Sequence, residues 1–414
     1  MEYPSLLPRF LKYVKINSRS DEHADRFPST QREVDYQMVI MKELEELGLS
    51  DVHYNEKAGT VIAEIPSNVD WDVPVMGFLA HCDTADFNSE NVKPQITENY
   101  DGESKIQLGD TEFYLDPAVF PNLKKYKGQT IISASGDTLL GGDDKCGDAE
   151  LVTFAEYLLQ HPEIKHGTIR LGFTPDEEIG TGAQHFDVAD FGAKFAYTVD
   201  GEGPGKLDWG TFSAAQFELD IQGVNVHPAV AKGQMINAIQ VGIDFQNALP
   251  QDQVPEKTDG RDGFFHLMDF SGTVDNAHLA YIIRDFERDG LESRKDLVKQ
   301  IVADLNKKYG GDRIKLKIWD QYYNMADELA KHMEIIDLAR DAYRACGMTE
   351  INEDPVRGGT DGSQLTYMGL PCPNLFAGEE NMHGRFEYTV LESMWKAVDV
   401  LIKMSELNAE RAKK

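Results

Sequence analysis

Apolar residues recur along this chain in two periods, and the periods divide it into strands and helices. Ile169, Leu171 and Phe173 occupy every second position, which predicts a buried strand over 168–174. Pro175 ends that strand, the acids Asp176, Glu177 and Glu178 follow in a row, and Gly180 and Gly182 permit tight turns. Thr60–Ile65, Val75–Ala80 and Lys194–Val199 read as further strands. Leu6, Leu7, Phe10, Leu11 and Val14 line one side of a short helix over 5–16, where Pro8 falls in the first turn. Thr30-Gln-Arg-Glu33 has the form of a capping box. It opens a helix to Leu47, with Val34, Met38, Met41, Leu44 and Leu47 as apolar positions and Gly48 as the stop. Residues 86–130 are polar and turn-rich, with a hairpin at Gln107–Leu115 and no assigned chemistry, and a helix over 147–160 follows. Strands alternating with helices predict an α/β fold, a mostly parallel sheet with helices on both faces.

The order changes near residue 212. Phe217–Ile221, Gly263–Phe270, Ala277–Phe286 and Ile314–Trp319 read as strands, with helices at Met235–Leu249 and Leu291–Tyr309. This β-α-β-β-α-β succession is the ferredoxin-like order. Helices resume near 329–346 and 389–408. The reading is a larger α/β domain over 1–211 and 325–414, interrupted by a smaller ferredoxin-like α+β domain over 212–324. No internal repeat or low-complexity tract interrupts the pattern.

At 414 residues the chain is long enough for two or three domains. Hydrophobic residues make up 41% and charged residues 27%, the composition of a soluble globular protein. The net charge is 41 − 71 = −30. Such a field repels phosphate backbones and anionic membranes, so neither nucleic acid nor a membrane is expected as a partner. It tolerates bound divalent cations, and it also serves solubility. The four cysteines, Cys82, Cys146, Cys346 and Cys372, form no C-x-x-C pair, which fits a reducing compartment. The N-terminus shows no basic run followed by an apolar core, and no apolar stretch reaches about 18 residues, so a cytoplasmic protein is expected.

Five clusters carry candidate chemistry. In His81-Cys82-Asp83 an extended backbone points residues 81 and 83 to one side. A carboxylate behind an imidazole is the usual support of a metal ligand, and a strand-end histidine beside a solvated acid is the plainer alternative. Cys82 reads as a small apolar filler. In Leu139-Leu-Gly-Gly-Asp-Asp-Lys-Cys-Gly147, Asp143 could bridge two cations with its two oxygens while Lys145 balances charge. A helix N-terminus with acids at its positive end explains the same residues. Glu177 and Glu178 are adjacent and cannot point alike, so one can bind metal while the other acts as general base on bound water. Asp200 closes Tyr197-Thr-Val-Asp, and His383 lies in Gly378-Glu-Glu-Asn-Met-His. An acid at a strand end or a surface histidine is common by itself. Together they gather two histidines and several carboxylates, mostly at strand ends, where α/β sheets place their sites. Mixed nitrogen and oxygen donors suit zinc, with cobalt or manganese admissible. H-E-x-x-H and G-x-S-x-G are absent, and Gly201-Glu-Gly-Pro-Gly-Lys206 fails the P-loop spacing, with Leu207 in place of Ser or Thr.

With these stretches in view, the chain resembles the peptidase T family, tripeptide aminopeptidases among the co-catalytic zinc exopeptidases related to aminoacylases and glutamate carboxypeptidase. The resemblance rests on His81-Cys-Asp-Thr84, Leu140-Gly-Gly-Asp-Asp-Lys145, Phe173-Thr-Pro-Asp-Glu-Glu-Ile-Gly180 and Tyr197-Thr-Val-Asp200. It continues through His227-Pro with Ala231-Lys-Gly-Gln-Met-Ile-Asn237, Arg357-Gly-Gly-Thr-Asp-Gly362 and His383-Gly, so that it covers nearly the whole chain. It implies two zinc ions per subunit. His81, Asp143 and Asp200 would hold one, and Asp143, Glu178 and His383 the other, with Asp143 bridging. Asp83 would orient His81, and Glu177 would be the general base. Arg357 and Asn237 would bind substrate carboxylate or backbone, and His227 would stabilise the oxyanion. For these three the plainer readings are a surface salt bridge, a helix-start residue and a turn histidine. The implied substrate is a short peptide, cleaved at its N-terminal residue by a zinc-bound hydroxide, with a homodimer through the small domain. A dipeptidase, carboxypeptidase or deacylase would use the same metal pair, and a non-catalytic metal-binding protein would keep the ligands without turnover. Cys82, Cys146, His227-Pro-Ala-Val and the loop before His383 depart from the usual pattern, and none removes a ligand.

Overall fold

A computed structural model describes residues 1–413 of the chain. Seven strands form one sheet in the order Ser50–Asn55, Thr60–Ile65, Ile169–Thr174, Met76–His81, Phe195–Val199, Asn374–Leu375 and Leu207–Asp208. The four strands from Ile169–Thr174 to Asn374–Leu375 run parallel, and the flanking strands pair antiparallel. Ile169–Thr174 is buried at all six positions, because both faces of the sheet are covered. On one face Phe78 meets Phe154 of helix Gly142–Gln160 edge to face, with ring centres 5.5 Å apart. On the other, Ile62 and Leu79 pack with Phe186, Phe191, Leu365 and Leu370. His81 pairs with Thr174, so two parallel strands end at one level, beside the acids at 176–178.

Helix Gln31–Leu47 begins at the Thr30–Glu33 capping box and stops at left-handed Gly48, as the sequence predicts. Its buried face differs from the expected one. Leu44 is buried as expected, but Met38 is exposed, and Glu33, Tyr36, Gln37 and Ile40 are buried as well. Two polar residues turn inward because they serve backbone groups: Gln37 donates to the carbonyls of Gly59 and Phe173 at 2.7 and 2.8 Å, and Glu33 accepts from the Asp176 N–H. The helix expected over 5–16 is shorter, Leu6–Tyr13, and that expected over 147–160 lies within Gly142–Gln160, whose Asp143 and Asp144 are non-helical. The helix expected over 329–346 is broken into Ala326–Leu329 and Met333–Ala345. The β-favouring Tyr388–Val390 forms a strand against Ile131–Ser133, and the last helix runs over Leu391–Ala412. Strand Ser50–Asn55 and helix Asp361–Tyr367 were not expected. Ile106–Gln107 pairs with Tyr114–Leu115 inside the span expected for a hairpin.

The chain divides into two units. The larger holds Met1–Trp209, Asp327–Glu353 and the residues from Thr360 onward, and the smaller holds Gly210–Ala326 and Asp354–Gly359. In the smaller unit four antiparallel strands lie in the order Phe264–Gly272, Asn276–Asp285, Ser213–Gln222 and Ile314–Tyr322, the ferredoxin-like arrangement. Helices Ala238–Ala248 and Arg288–Tyr309 close its core, where Phe217 stacks on Tyr281 with centres 4.7 Å apart. Among the described residues no helix is long and apolar enough to cross a membrane.

Phe217→Ala is expected to destabilise the smaller unit by about 3–5 kcal/mol in urea denaturation, because it opens a cavity in this core. Glu218→Ala, one residue along and on the other face, is expected to stay within about 0.5 kcal/mol. Equal small losses would contradict this assignment of the core.

Candidate metal centre

The acidic turn after Ile169–Thr174 is held by buried polar side chains. Glu33 accepts from the Asp176 N–H at 3.0 Å, and the Asp176 carboxylate accepts from the Ser29 N–H at 2.8 Å. Gly182 lies so close to the turn that an added Cβ would sit 1.9 Å from the Pro175 carbonyl oxygen. The turn presents the N–H groups of Glu177 and Glu178 to the two oxygens of Asp83, at 3.0 and 3.2 Å. The same Asp83 lies 3.4 Å from His81 Nδ1. One carboxylate therefore ties the end of one strand to the turn that follows its neighbour.

The glycine-rich turn before helix Gly142–Gln160 is held by Glu387. Its carboxylate accepts from the N–H groups of Leu140, Gly141 and Asp143 at 2.7, 2.8 and 3.1 Å. Asp144 accepts from the N–H groups of His81 and Gly147 at 3.0 and 2.9 Å. Gly147 is required here, since a Cβ would lie 2.1 Å from the Val199 carbonyl oxygen. With its neighbours thus engaged, Asp143 faces two histidines. Its Oδ1 is 2.8 Å from His81 Nε2 and its Oδ2 is 3.0 Å from His383 Nε2. Asp200 Oδ1 is 3.4 Å from His81 Nε2, and Glu178 Oε2 is 3.1 Å from His383 Nε2. His383 is exposed and holds a left-handed backbone, φ +65°. Three sets of donor atoms converge to within 4.8 Å of one another, namely His81 with Asp144 and Asp200, His81 with Asp143 and Glu178, and Asp143 with Asp200 and Glu379.

Charge in this cluster is unbalanced. Asp83, Asp143, Asp144, Glu177, Glu178, Asp200, Asp361 and Glu379 crowd round two imidazoles. Burial and the neighbouring acids push Glu177 and Glu178 well above the usual carboxylate range. Burial lifts Asp200 to about 6, against the pull of His81. Burial alone would lower His81, but Asp200, Asp143 and Asp83 together hold it well above the ordinary imidazole value. Asp143 runs the other way, since His383 and His81 overcome its burial and hold it low. His81 Nδ1, Glu178 Oε1 and both oxygens of Glu379 are buried without a hydrogen-bond partner. Orphaned carboxylate oxygens that repel one another beside the Nε2 atoms of two imidazoles fit a divalent cation.

The structure brings His81, Asp83, Asp143, Glu177, Glu178, Asp200 and His383 together in the larger unit. Lys145, expected to balance charge here, acts through its charge on Asp148, Glu387 and Asp83. It is buried under Tyr36, its ammonium donates to the Ile16 carbonyl at 2.5 Å, and it makes no ion pair with Asp143 or Asp144 among the described residues. His227, Asn237 and Arg357 belong to the smaller unit. His227 is exposed and accepts from the Ala229 N–H. Asn237 caps helix Ala238–Ala248 by accepting from the Ile239 N–H. Arg357 donates to the Gly260 carbonyl and the Thr258 hydroxyl and lies over the rings of Phe212 and Phe264. Sequence reasoning gave no role to Asp144, Glu379 or Glu387. Asp144 shared the paired-acid signal with Asp143, but nothing local distinguishes Glu379 or Glu387 from surface acids.

The family profile described as "Peptidase dimerisation domain" matches residues 209–313. A protein from Lactobacillus helveticus named Peptidase T is 80% identical over 414 residues, which is the full length of both chains. The crystal structure of aminopeptidase PepT from Bacillus cereus superposes with a TM-score of 0.79 at 21% identity, covering 99% of each chain. That of a dinuclear metal-binding peptidase of the M20 family from Bacillus subtilis superposes with a TM-score of 0.66 at 17% identity, covering 99% of this chain and 98% of that one.

Burial lifts Asp148, Asp361 and Glu387 each to about 7. A folded-state pKa above the unfolded value means that the folded chain binds more protons between the two values. Stability of the metal-free protein is therefore expected to fall as pH rises from about 4 to about 7. Thermal melts of chelator-treated protein across that range check this, and a midpoint that climbs with pH would contradict it.

Proposed function

The chain belongs to the peptidase T family, and on that premise we propose that it is a zinc-dependent tripeptide aminopeptidase, which releases the N-terminal residue of a tripeptide by hydrolysis. The observation that carries this reading is the position of Asp143, with one oxygen 2.8 Å from His81 and the other 3.0 Å from His383. Such a carboxylate is suited to bridge two cations. His81, Asp143 and Asp200 are the proposed ligands of one ion, and Asp143, Glu178 and His383 those of the other. Two divalent ions in these positions would polarise the scissile carbonyl and lower the pKa of the attacking water.

The chain's own residues do the rest. Glu177 is the proposed general base, and it later returns its proton to the leaving amine. Desolvation and the neighbouring acids raise its proton affinity, which suits a group that must take a proton and hold it. Asp83 accepts from the Glu177 N–H and so fixes the backbone that carries the base, while it faces His81 Nδ1. In the smaller unit His227 is the proposed oxyanion donor, and Arg357 and Asn237 the proposed substrate contacts. Asn237 spends its oxygen on the helix cap, which leaves its amide N–H donors for a peptide. The match of residues 209–313 to a dimerisation domain supports a homodimer through the smaller unit. Four unpaired cysteines support the reducing cytoplasm as its compartment.

Mass-spectrometric analysis of a free-amine tripeptide, incubated with zinc-loaded wild-type and Glu177→Gln proteins, tests the reading. The wild type is expected to yield the N-terminal amino acid and an intact dipeptide. Glu177→Gln is expected to bind zinc but turn over about 10²- to 10⁴-fold more slowly. Release from the C-terminal end would make the protein a carboxypeptidase, and an undiminished rate in the variant would remove Glu177 as the base.

A further inference from the structure

Glu379 and Glu380 lie side by side on a short strand, opposite Thr389 and Tyr388. A strand sends neighbouring side chains to opposite sides. Glu380 turns one way and accepts from the Tyr126 hydroxyl and the Asn122 amide. Glu379 turns the other way and is 1% exposed, and neither of its carboxylate oxygens has a hydrogen-bond partner. One of those oxygens lies within 4.8 Å of carboxylate oxygens of both Asp143 and Asp200. The groups that act on it most strongly are Asp143, Asp144, Asp200 and the Cys146 thiol, none of them positive. A buried carboxylate with no donor, held against three others, is strongly unfavourable unless a cation joins them. Glu380 shows that the same strand can satisfy an acid with ordinary donors, and Glu379 has none.

We propose that Glu379 is a further metal ligand, which joins His81, Asp143 and Asp200 in holding one ion of the pair. The proposal rests on the metal-centre reading above and adds a residue that the family resemblance does not assign. An added anionic oxygen tightens that site and favours hard, oxygen-preferring divalent ions there more than at the partner site, which has no such acid. Glu379 also links the coordination to strand Tyr388–Val390 and, through it, to Glu387, which fixes the turn carrying Asp143.

The test uses the full-length protein, stripped of metal and titrated with Co²⁺ by visible absorption and with Zn²⁺ against a chelating dye. The wild type is expected to take two ions, and Asp200→Asn to weaken one. Glu379→Gln, which keeps the shape and removes the charge, is expected to weaken the same ion about 10- to 100-fold and to change its Co²⁺ absorption. Glu379→Asp, which keeps the charge on a shorter stem, is expected to fall between the two. Metal-free Glu379→Gln is also expected to melt higher than metal-free wild type, since a repelled acid has gone. A higher melting point with both affinities and the Co²⁺ spectrum unchanged would overturn the proposal and identify Glu379 as a protonated acid beside Asp144. Should Glu379→Gln fail to fold, wild-type affinity in Glu379→Asp would overturn it equally. A wild type that takes no ion would overturn the metal centre itself, whereas two tight ions with an unaffected variant would overturn Glu379 alone.

Discussion

Repulsion among buried carboxylates at the ends of three neighbouring strands is the constraint on which this structure turns. Asp83, Asp200 and the turn of Glu177 and Glu178 follow strands that run parallel and side by side in the sheet. Parallel pairing places the ends of those strands at one level, so the topology itself brings the acids together. Asp143, Asp144 and Glu379 add to the same volume from other segments. Two imidazoles cannot neutralise this many anions. Cations bound among them would convert a destabilising cluster into a coordination shell, which links the stability of the fold to the presence of metal.

A cluster of this kind needs rigid backbone beneath it. Much of that rigidity comes from polar side chains that bind main-chain N–H groups instead of ligands. Asp83 holds two such groups, Glu387 three and Asp144 two. Such hydrogen bonds contribute about 1 kcal/mol each, so an acid that holds two or three N–H groups does more for its turn than a single contact would. Glu33 and Gln37 extend the arrangement outward by turning a helix face toward the end of the central strand. Glu178 and Glu379 carry buried oxygens that no donor reaches, whereas Asp144 is held by two backbone N–H groups and still contributes an oxygen to one of the converging sets.

Local signals were legible in the sequence. The alternation over 168–174, the capping box at Thr30 and the stop at Gly48 each involve residues a few positions apart, and each appears where the pattern placed it. The buried face of Gln31–Leu47 was misread because hydrophobicity governed the reading, whereas backbone satisfaction governs Glu33 and Gln37. The β-α-β-β-α-β order of the smaller unit was readable because its strands and helices carry their own periodicities. The metal-centre motifs stood out as acids and histidines after apolar strands, but their pairing did not. His383 meets Asp143 across 240 positions of sequence, and Glu387 reaches Leu140 across 247. Glu379 gives no local sign of burial, because the strand that buries it is two residues long and pairs with a neighbour of three.

Asp143 is the proposed link between two ions, since its two oxygens face different histidines. Metal content per chain, measured by elemental mass spectrometry on wild-type and Asp143→Ala proteins after equilibration with limiting free Zn²⁺, tests it most directly. Two ions per wild-type chain and the loss of both in the variant are expected, because each site would lose a ligand and the shared link. Retention of two ions by Asp143→Ala, or of only one by the wild type, would contradict it.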